Sequence, residues 1–404
     1  MVDFADTPEM ATFREEVRTF VKEHHPQRLA DEAAYGTGWG NDIGTLTREE
    51  REELTAPWRA AMSEQGWISP ALPKEYGGAD LSPVEQFVLN EEFASLDATA
   101  VGIRQDLVSV LMLYGTEEQR AEHLPGLLSG NMRWAQGYSE PGSGSDLASL
   151  QTRATRDGDE FVVNGQKIWT SGAHRAHWLF GLFRTDPEAP KHRGISYLLM
   201  KMDTPGITPR PMEQMTGAAE FNEVFFEDVR VPASNLIGEL NRGWYVGATL
   251  LDFERSSIGN AIGTQKTLDG LRTLLVDEHE AKSGRSRLGE PSVRIALADR
   301  YVDAEVAALF SYRVFTMHNR GLVPNYEASV GKIFNTEMMQ RIGNTAMTGL
   351  GLYAQLAGKD EPYTPARSRW QQYYLGAVAA TIGGGTSEIQ RNVIATRGLG
   401  LPRG

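Results

Sequence analysis

The sequence predicts a multidomain α+β protein in which helical segments flank a middle antiparallel β-domain, and three observations carry that expectation. Apolar residues recur at helical spacing up to about position 133, β-type runs fill 134–242, and helical spacing returns from Trp244 onward. The order is helix, sheet, helix, without the strand–helix alternation that a parallel nucleotide-binding sheet requires. The changes of texture set the expected boundaries at 1–133, 134–242 and 243–404.

The first helix is announced by Thr7 as N-cap and Pro8 at the first helical position, with Met10, Phe13, Val17, Phe20 and Val21 on one face. This opening stretch has no basic run followed by an apolar one, so it reads as a helix and not as a signal peptide. "PVEQFVLNEEFASL" and "EEQRAEHLPGLLSG" continue the helical pattern, separated from what precedes them by the turn-rich "PALPKEYGGADLSP". In the middle, "EFVVNGQKIWTSG" offers Asn164-Gly165 as a hairpin turn, and "GISYLLMKM" and "FNEVFFEDVRVP" read as strands. Long helical segments are expected around 243–280, 291–320, 325–349 and 366–398.

The chain has 404 residues, 41% of them hydrophobic, which suits a globular protein with a large core. Its 40 basic and 53 acidic residues give a net charge of -13 without a dense Lys/Arg tract, so nucleic acid and anionic membranes are not expected partners. No run of about 18 apolar residues is present to span a bilayer. There is no cysteine, which excludes disulfides, thiol catalysis, Cys-ligated zinc and iron–sulfur clusters, and a cytoplasmic protein is expected. His174 and His177 have ligand-like spacing but no third partner nearby, so they read as surface polar residues at a strand end and no metal is expected. His24-His25 and "REEREEL" (48–54) read as solvated helix faces.

Three glycine-rich stretches stand out. "GLGLYA" (349–354) fits a relaxed dinucleotide fingerprint, but no β-run precedes it, and a turn between helices is expected. "SEPGSGSDLASL" (139–150) places Gly142, Ser143, Gly144 and Ser145 ahead of Asp146; the residues fit either a pyrophosphate-holding loop or an ordinary Gly/Ser turn with an N-cap. "AATIGGGTSEIQRNVIATRGLGLP" (379–402) runs three glycines into a helix.

"GYSEPGSGSDLASLQTRATRDGDEFVVNGQKIWTSG", "ALPKEYGGADLS", "MLYGTEEQRAEHLPGLLSG", "FFEDVRVPASNLIGELNRGW" and "GGGTSEIQRNVIATRGLGLPR" together resemble the acyl-CoA dehydrogenase family, in its order and spacing, over roughly residues 5–402. The resemblance implies an all-helical N-terminal domain, a middle β-domain and a C-terminal four-helix bundle, with FAD between the last two and across a subunit interface. It implies that Gln136 to Ser145 line the flavin, with Tyr138 and Ser139 at its pyrimidine edge and Gly144 and Ser145 in the same loop; Ser145 also meets substrate. Trp169, Thr170 and Ser171 match the segment whose indole covers the isoalloxazine and whose hydroxyl approaches N5. Thr386, Ser387 and Glu388 match a helix start near the adenosine side. Arg285 matches the adenosine-binding arginine, although Leu288 stands where the family has an aromatic, and the family's glutamine before the inter-subunit glycine turn falls at about Thr345.

Dehydrogenating an acyl thioester requires a carboxylate in a dry pocket to take the α-proton. Many family members place it one residue before the last loop glycine, which here is Gly384 and cannot act as a base. The second family position, on the first helix of the C-terminal bundle as in isovaleryl-, long-chain-type and some sterol side-chain enzymes, is Glu254. No basic residue lies at pairing distance from Glu254 along its helix, whereas Glu388 has Arg391 three residues on and reads as a solvated pair. Asp252 and Arg255 match positions near the thioester end of CoA, and Gly384 and Gly385 leave room there. The resemblance thus implies FAD-dependent oxidation of an acyl-CoA to a trans-2-enoyl-CoA, with electrons passed to an electron-transfer flavoprotein, in a homotetramer or an α2β2 complex. An acyl-CoA oxidase, a flavin monooxygenase on the same scaffold and a subunit of a heteromeric assembly are the alternatives.

Overall fold

The structure of the chain, a computed structural model, describes residues 6–33, 35, 43–98, 101–253, 259–283, 287–320, 322 and 324–402, with the side chains of 249–253, 259–261, 277–283, 318 and 319 left out. The chain forms two compact units, one of Met1–Ala61, Leu81–Ala100 and Arg255–Gly404, the other of Met62–Asp80 and Val101–Glu254.

In the first unit, α1 (Pro8–His24) starts as its sequence dictates. The Thr7 hydroxyl accepts from the Met10 amide, Pro8 opens the helix, and Val17, Phe20 and Val21 are buried. The short α2 (Gln27–Ala33) and α3 (Arg48–Glu64) follow, and Trp58 of α3 lies fully buried among Phe20, His25 and Phe93. His25 is therefore partly buried against an indole, and burial lowers its pKa, whereas His24 is exposed with one side of its ring on Phe20. The next helix, α4 (Pro83–Ser95), carries a complete capping box between Ser82 and Glu85.

The second unit begins with α5 (Gln105–Tyr114) and α6 (Glu117–Leu128), the latter with a capping box of Thr116 and Gln119. Eight strands make one sheet: β1 (Trp134–Gly137), β2 (Arg153–Asp157), β3 (Glu160–Lys167), β4 (Trp178–Arg184), β5 (Ile195–Lys201), β6 (Ile207–Met212), β7 (Phe221–Pro232) and β8 (Leu236–Ile237). The order is β6-β7-β3-β2-β4-β5-β8, with β1 on β4. Most pairs are antiparallel, as expected; β1 and β2 meet β4 in parallel, which the hairpin pattern did not indicate. The central strands β4 and β5 are buried on both faces, and period-two alternation divides them. Phe180, Leu182, Tyr197 and Leu199 face the core shared with α5 and α6, while Leu179, Phe183, Leu198 and Met200 face the opposite core. α7 (Gly243–Phe253) packs on this sheet, with Val246 in the same core as Phe180.

Asn164-Gly165 is not the expected hairpin turn. β2 and β3 pair Asp157 with Glu160, so the chain reverses at Gly158-Asp159, with Gly158 at φ +61°. Asn164-Gly165 lies inside β3 at a bulge toward β7. Its Asn164 amide exchanges two hydrogen bonds with Asp228, and a Cβ at Gly165 would sit 2.8 Å from the Thr152 backbone.

Back in the first unit, α8 (Gly259–Ser283), α9 (Pro291–Asn319), α10 (Tyr326–Leu350) and α11 (Arg369–Ala380) form the helical bundle. Leu268, Leu271 and Leu275 of α8 meet Leu297 and Ala304 of α9, Ile342 and Ala346 of α10, and Trp370 of α11 in one core. "GLGLYA" is a turn between helices: Gly351, at φ +64°, ends α10 and a single 3₁₀ segment follows. Just before α11, Ala366, Arg367 and Ser368 are all left-handed, at φ 43°, 55° and 64°, and Arg367 is tied to the Ile43 carbonyl (3.0 Å) and Asp360 (3.1 Å). The last helix, α12 (Ser387–Val393), continues as a π-helical turn to Gly398.

His123 of α6 is buried edge-on between Trp134 and Trp178, and burial lowers its pKa. The unfolded chain takes up this proton near pH 6.5 while the folded chain resists it, so native stability falls through this group as pH drops below about 6.5. In His123→Phe, thermal unfolding between pH 8 and 5.5 should lose that part of its pH dependence; an unchanged profile would show that His123 is not its source.

Candidate functional site

In the sheet unit the site is built from two chain segments that leave the sheet side by side. After β1 the chain turns through Tyr138–Asp146. Glu140 and Ser143 exchange both backbone hydrogen bonds at 2.9 Å, closing the turn over Pro141-Gly142. The Ser143 hydroxyl is used inside the turn, donating to the carbonyls of Asp146 (3.0 Å) and Leu147 (3.2 Å). Gly142, Gly144 and Ser145 are exposed, and a Cβ at either glycine would meet nothing within 4 Å.

A buried ion pair supports this loop from below. Lys167 of β3 has no exposed surface; its Nζ donates to Glu140 Oε1 (2.8 Å) and to the Tyr138 carbonyl (3.1 Å). The Glu140 carboxylate also accepts from the amides of Gln151 (2.6 Å) and Thr152 (2.9 Å). Burial alone would raise the Glu140 carboxyl, but the Lys167 charge and these donors overcome it and hold the group below the usual carboxylate range. Burial pushes Lys167 down to about 8 against the pull of Glu140. The second segment is joined to the first where the Ile168 amide donates to the Ser139 carbonyl (2.9 Å).

Trp169, next in line, holds a left-handed backbone at φ 60° and leaves its indole 59% exposed, with one edge toward Phe221. A bulky residue in that conformation costs about 1–3 kcal/mol and persists only where neighbours impose it. Here buried Asn222 does so. Its backbone carbonyl accepts from the Thr170 amide (3.0 Å), its side-chain amide donates to the Thr170 carbonyl (2.9 Å), and Gly172 is fixed by the Glu220 carbonyl. Thr170 itself is fully buried, and its hydroxyl has no partner among the described residues. A flat exposed indole on strained backbone beside an unsatisfied hydroxyl fits a planar heteroaromatic group with polar edges. Trp169 is thus not a core aromatic.

In the helical unit, the glycines precede α12. The Thr386 hydroxyl caps the helix by accepting from the Ile389 amide (3.3 Å), and Ser387 is buried. Glu388 is exposed in the first turn, its carboxyl lowered by its own backbone amide and the Thr386 hydroxyl. Gly384 and Gly385 are left-handed, at φ 64° and 86°. Among the described residues a Cβ at Gly384 would meet nothing within 4 Å, whereas one at Gly385 would lie 2.7 Å from Gln390 Nε2. A polar cleft of about 520 Å³ beside the turn is lined by Gln340, Asn344, Thr381, Ser387 and Glu388.

Family models describe the same chain in three consecutive blocks: the acyl-CoA dehydrogenase N-terminal domain over residues 7–131, the middle domain over 135–229 and the C-terminal domain over 241–399. Acyl-CoA dehydrogenase IpdE1 of Mycobacterium tuberculosis is 36% identical over 394 residues, covering 96% of this chain and 98% of that protein. The chain belongs to the acyl-CoA dehydrogenase family. Among solved structures, the Tcur3481-Tcur3483 steroid ACAD matches with a TM-score of 0.82 at 33% identity, covering 100% of both chains. The ChsE4-ChsE5 complex from Mycobacterium tuberculosis matches with a TM-score of 0.79 at 31% identity, again over 100% of both. This acyl-CoA dehydrogenase is therefore a three-domain oxidoreductase of the CH–CH class that uses a flavin.

The expected site residues divide by where the structure puts them. Tyr138, Ser139, Gly144, Ser145, Trp169, Thr170 and Ser171 gather on the two joined segments, and Gly384 to Glu388 on the glycine turn. Gln136 is partly engaged elsewhere, its amide oxygen accepting from Arg104 Nη2 (3.0 Å). Glu254, Arg255 and Arg285 lie outside the described residues, and Asp252 is placed only as backbone on α7. Leu288 packs against the bundle core, and the Thr345 hydroxyl donates back to the Arg341 carbonyl (2.9 Å). Two expectations need correction. Arg391 bonds to Glu337 of α10 (2.5 Å) and not to Glu388, whose carboxyl is lowered mainly by its own backbone amide and the Thr386 hydroxyl. His174 is partly buried on Asn222 Oδ1 (3.0 Å) and belongs to the support of Thr170; His177 accepts from the Arg133 amide, and among the described residues no cluster suits a metal. Glu140, Lys167, Asn222, Lys332 and Gln390 escaped the sequence reading, since only their burial or, for the half-buried Lys332, its bond to the Gly385 carbonyl marks them.

Glu140→Gln should destabilise the acyl-CoA dehydrogenase by about 3–5 kcal/mol, since it leaves a buried ammonium without its counter-charge. The double variant Glu140→Gln/Lys167→Met should recover much of that loss. Denaturant unfolding of the three proteins checks this, and a single variant as stable as the parent would contradict the pairing.

Proposed function

We propose that this acyl-CoA dehydrogenase binds FAD and desaturates the α,β bond of acyl-CoA thioesters whose acyl group is bulky and steroid-derived, with Glu254 as the base. The observation that carries the reading is the open space at Gly384. Where many family members place a carboxylate this chain has no side chain, and a Cβ there would meet none of the described residues within 4 Å. The steroid ACAD named above and its extent of match point the substrate in the same direction. We further infer electron-transfer flavoprotein as the acceptor, a homotetramer or α2β2 assembly, and domain boundaries at 133/134 and 242/243.

The chain's residues divide the work. Glu254 takes the α-proton as the thioester carbonyl is polarised; a backbone N–H of the Gly384-Gly385 turn donates to that carbonyl and stabilises the charge that develops on its oxygen. Asp252 and Arg255 bind near the thioester end of CoA, and Ser145 meets the substrate from the loop. Trp169 supplies a flat apolar wall that excludes water, and Thr170 and Ser171 supply hydroxyls at its edge. Gln136, Tyr138 and Ser139 bind the pyrimidine side, while Arg285, Thr386, Ser387 and Glu388 bind the adenosine side. Bound flavin supplies the two-electron acceptor for the β-hydrogen.

The purified yellow protein should release FAD on denaturation, and Trp169→Ala should retain less of it; release of FMN would overturn the cofactor assignment. Glu254→Gln should keep FAD and acyl-CoA binding yet lose turnover by orders of magnitude on a panel of acyl-CoAs with an artificial acceptor. Gly384→Glu in that background should restore part of the rate with straight-chain substrates. Near-normal turnover by Glu254→Gln would exclude it as the base.

A further inference from the structure

The two left-handed glycines of the catalytic turn are held by side chains to which the family resemblance gives no role. Gln390 of α12 is fully buried, and its Nε2 donates to the Gly384 carbonyl at 2.8 Å. Lys332 of α10 donates from Nζ to the Gly385 carbonyl at 2.7 Å. A trans peptide sets its C=O and N–H on opposite sides of one plane. Anchoring the Gly384 carbonyl therefore turns the Gly385 N–H away from Gln390, and anchoring the Gly385 carbonyl turns the Thr386 N–H away from Lys332. Among the described residues, the amides of Gly384, Gly385 and Thr386 donate to no protein acceptor, while those of Ile382, Gly383 and Ser387 are all used within the turn. Three consecutive peptide donors are thus left available on a turn whose carbonyls are fixed from behind.

Glycine at both positions is what allows this, and it also creates the need for it. Left-handed backbone is open to glycine without steric cost, but glycine peptides also rotate freely, so donor directions are not set by φ/ψ preference. A hydrogen bond from an ammonium is stronger than one between neutral groups, and Lys332 sits on a bundle helix, not on the loop. The Gln390 amide closes the other side: a side chain at Gly385 would displace it.

We propose that Lys332 and Gln390 are positioning residues that orient the Gly385 and Thr386 N–H donors of the turn toward the substrate thioester oxygen. This rests on the acyl-CoA reading above. They act through the turn and touch no reacting atom. Freed from them, the turn would still fold, but its donors would lose the alignment on which polarisation of the carbonyl depends.

The test uses Lys332→Met, Lys332→Arg and Gln390→Leu in the FAD-loaded protein, with two readouts beside turnover. The first is amide exchange at Gly383 and Ser387, the protected amides that bracket the turn, which should speed up roughly tenfold in Lys332→Met and Gln390→Leu, while the rest of α10 keeps its protection. The second is the pKa of a bound 3-thiaacyl-CoA, which has an acidic α-proton but cannot be desaturated, followed through the long-wavelength band its anion gives with the flavin. That pKa should rise by about one unit in Lys332→Met, turnover should fall about 10- to 100-fold with less change in KM, and Lys332→Arg should recover part of both. If Lys332→Met does not fold, Gln390→Leu carries the same expectations. A wild-type band whose pKa is the same in the variants overturns this inference alone. Wild-type protein that gives no band with straight-chain or with steroid-derived 3-thiaacyl-CoA overturns the acyl-CoA reading and the inference with it.

Discussion

An ammonium with no exposed surface cannot remain charged without an opposing carboxylate, and in this molecule that requirement organises the sheet side of the site. Lys167 and Glu140 meet at 2.8 Å beneath the Tyr138–Asp146 loop. Because Glu140 also accepts the Gln151 and Thr152 amides, the loop's beginning and end are fixed to the same carboxylate. Lys167 in turn fixes the Tyr138 carbonyl, and the neighbouring Ile168 amide fixes that of Ser139. The left-handed Trp169 that follows is held in turn by the two Asn222 bonds to Thr170, each contributing about 1 kcal/mol against a strain of about 1–3 kcal/mol.

The same economy of means recurs in the helical unit. Both halves present a loop surface, with an exposed indole in one and glycine backbone in the other, and both anchor it with buried or half-buried polar side chains from a neighbouring regular element. In the sheet unit the anchors come from β3 and β7, and in the helical unit from α10 and α12. Function is therefore carried by loops, but the precision comes from strands and helices whose geometry the core dictates.

Periodicity made the fold legible. Val17, Phe20 and Val21 on α1, and Leu268, Leu271 and Leu275 on α8, are buried because their spacing places them on one face. The start signal at Thr7 behaves as its chemistry requires, and Ser82 and Thr116 cap α4 and α6 in the same way. Asn164-Gly165 misled because a dipeptide suited to a two-residue turn is also suited to a bulge, and only long-range pairing with β7 decides between them. The site motifs were legible as a resemblance, with Ser139–Ser145 and Trp169–Ser171 landing together through one hydrogen bond between Ile168 and Ser139. The anchors were not, because a glutamate in "SEPG" or a lysine in "NGQKIW" looks no different from a solvated charge until burial is known. Arg391 illustrates the converse: its sequence neighbour Glu388 lost to Glu337, a residue 54 positions away.

Ala366, Arg367 and Ser368 form one turn of helix of the wrong hand for L-amino acids, at a cost of about 1–2 kcal/mol per residue. The ties of Arg367 to Ile43 and Asp360 hold it in place. At this turn the mirror-image building block suits the backbone better: D-alanine at 366, introduced by chemical ligation, would shed the steric conflict but turn the methyl group away from the bundle core on which Ala366 packs. Stereochemistry, and not composition, is what the fold is working against at that point.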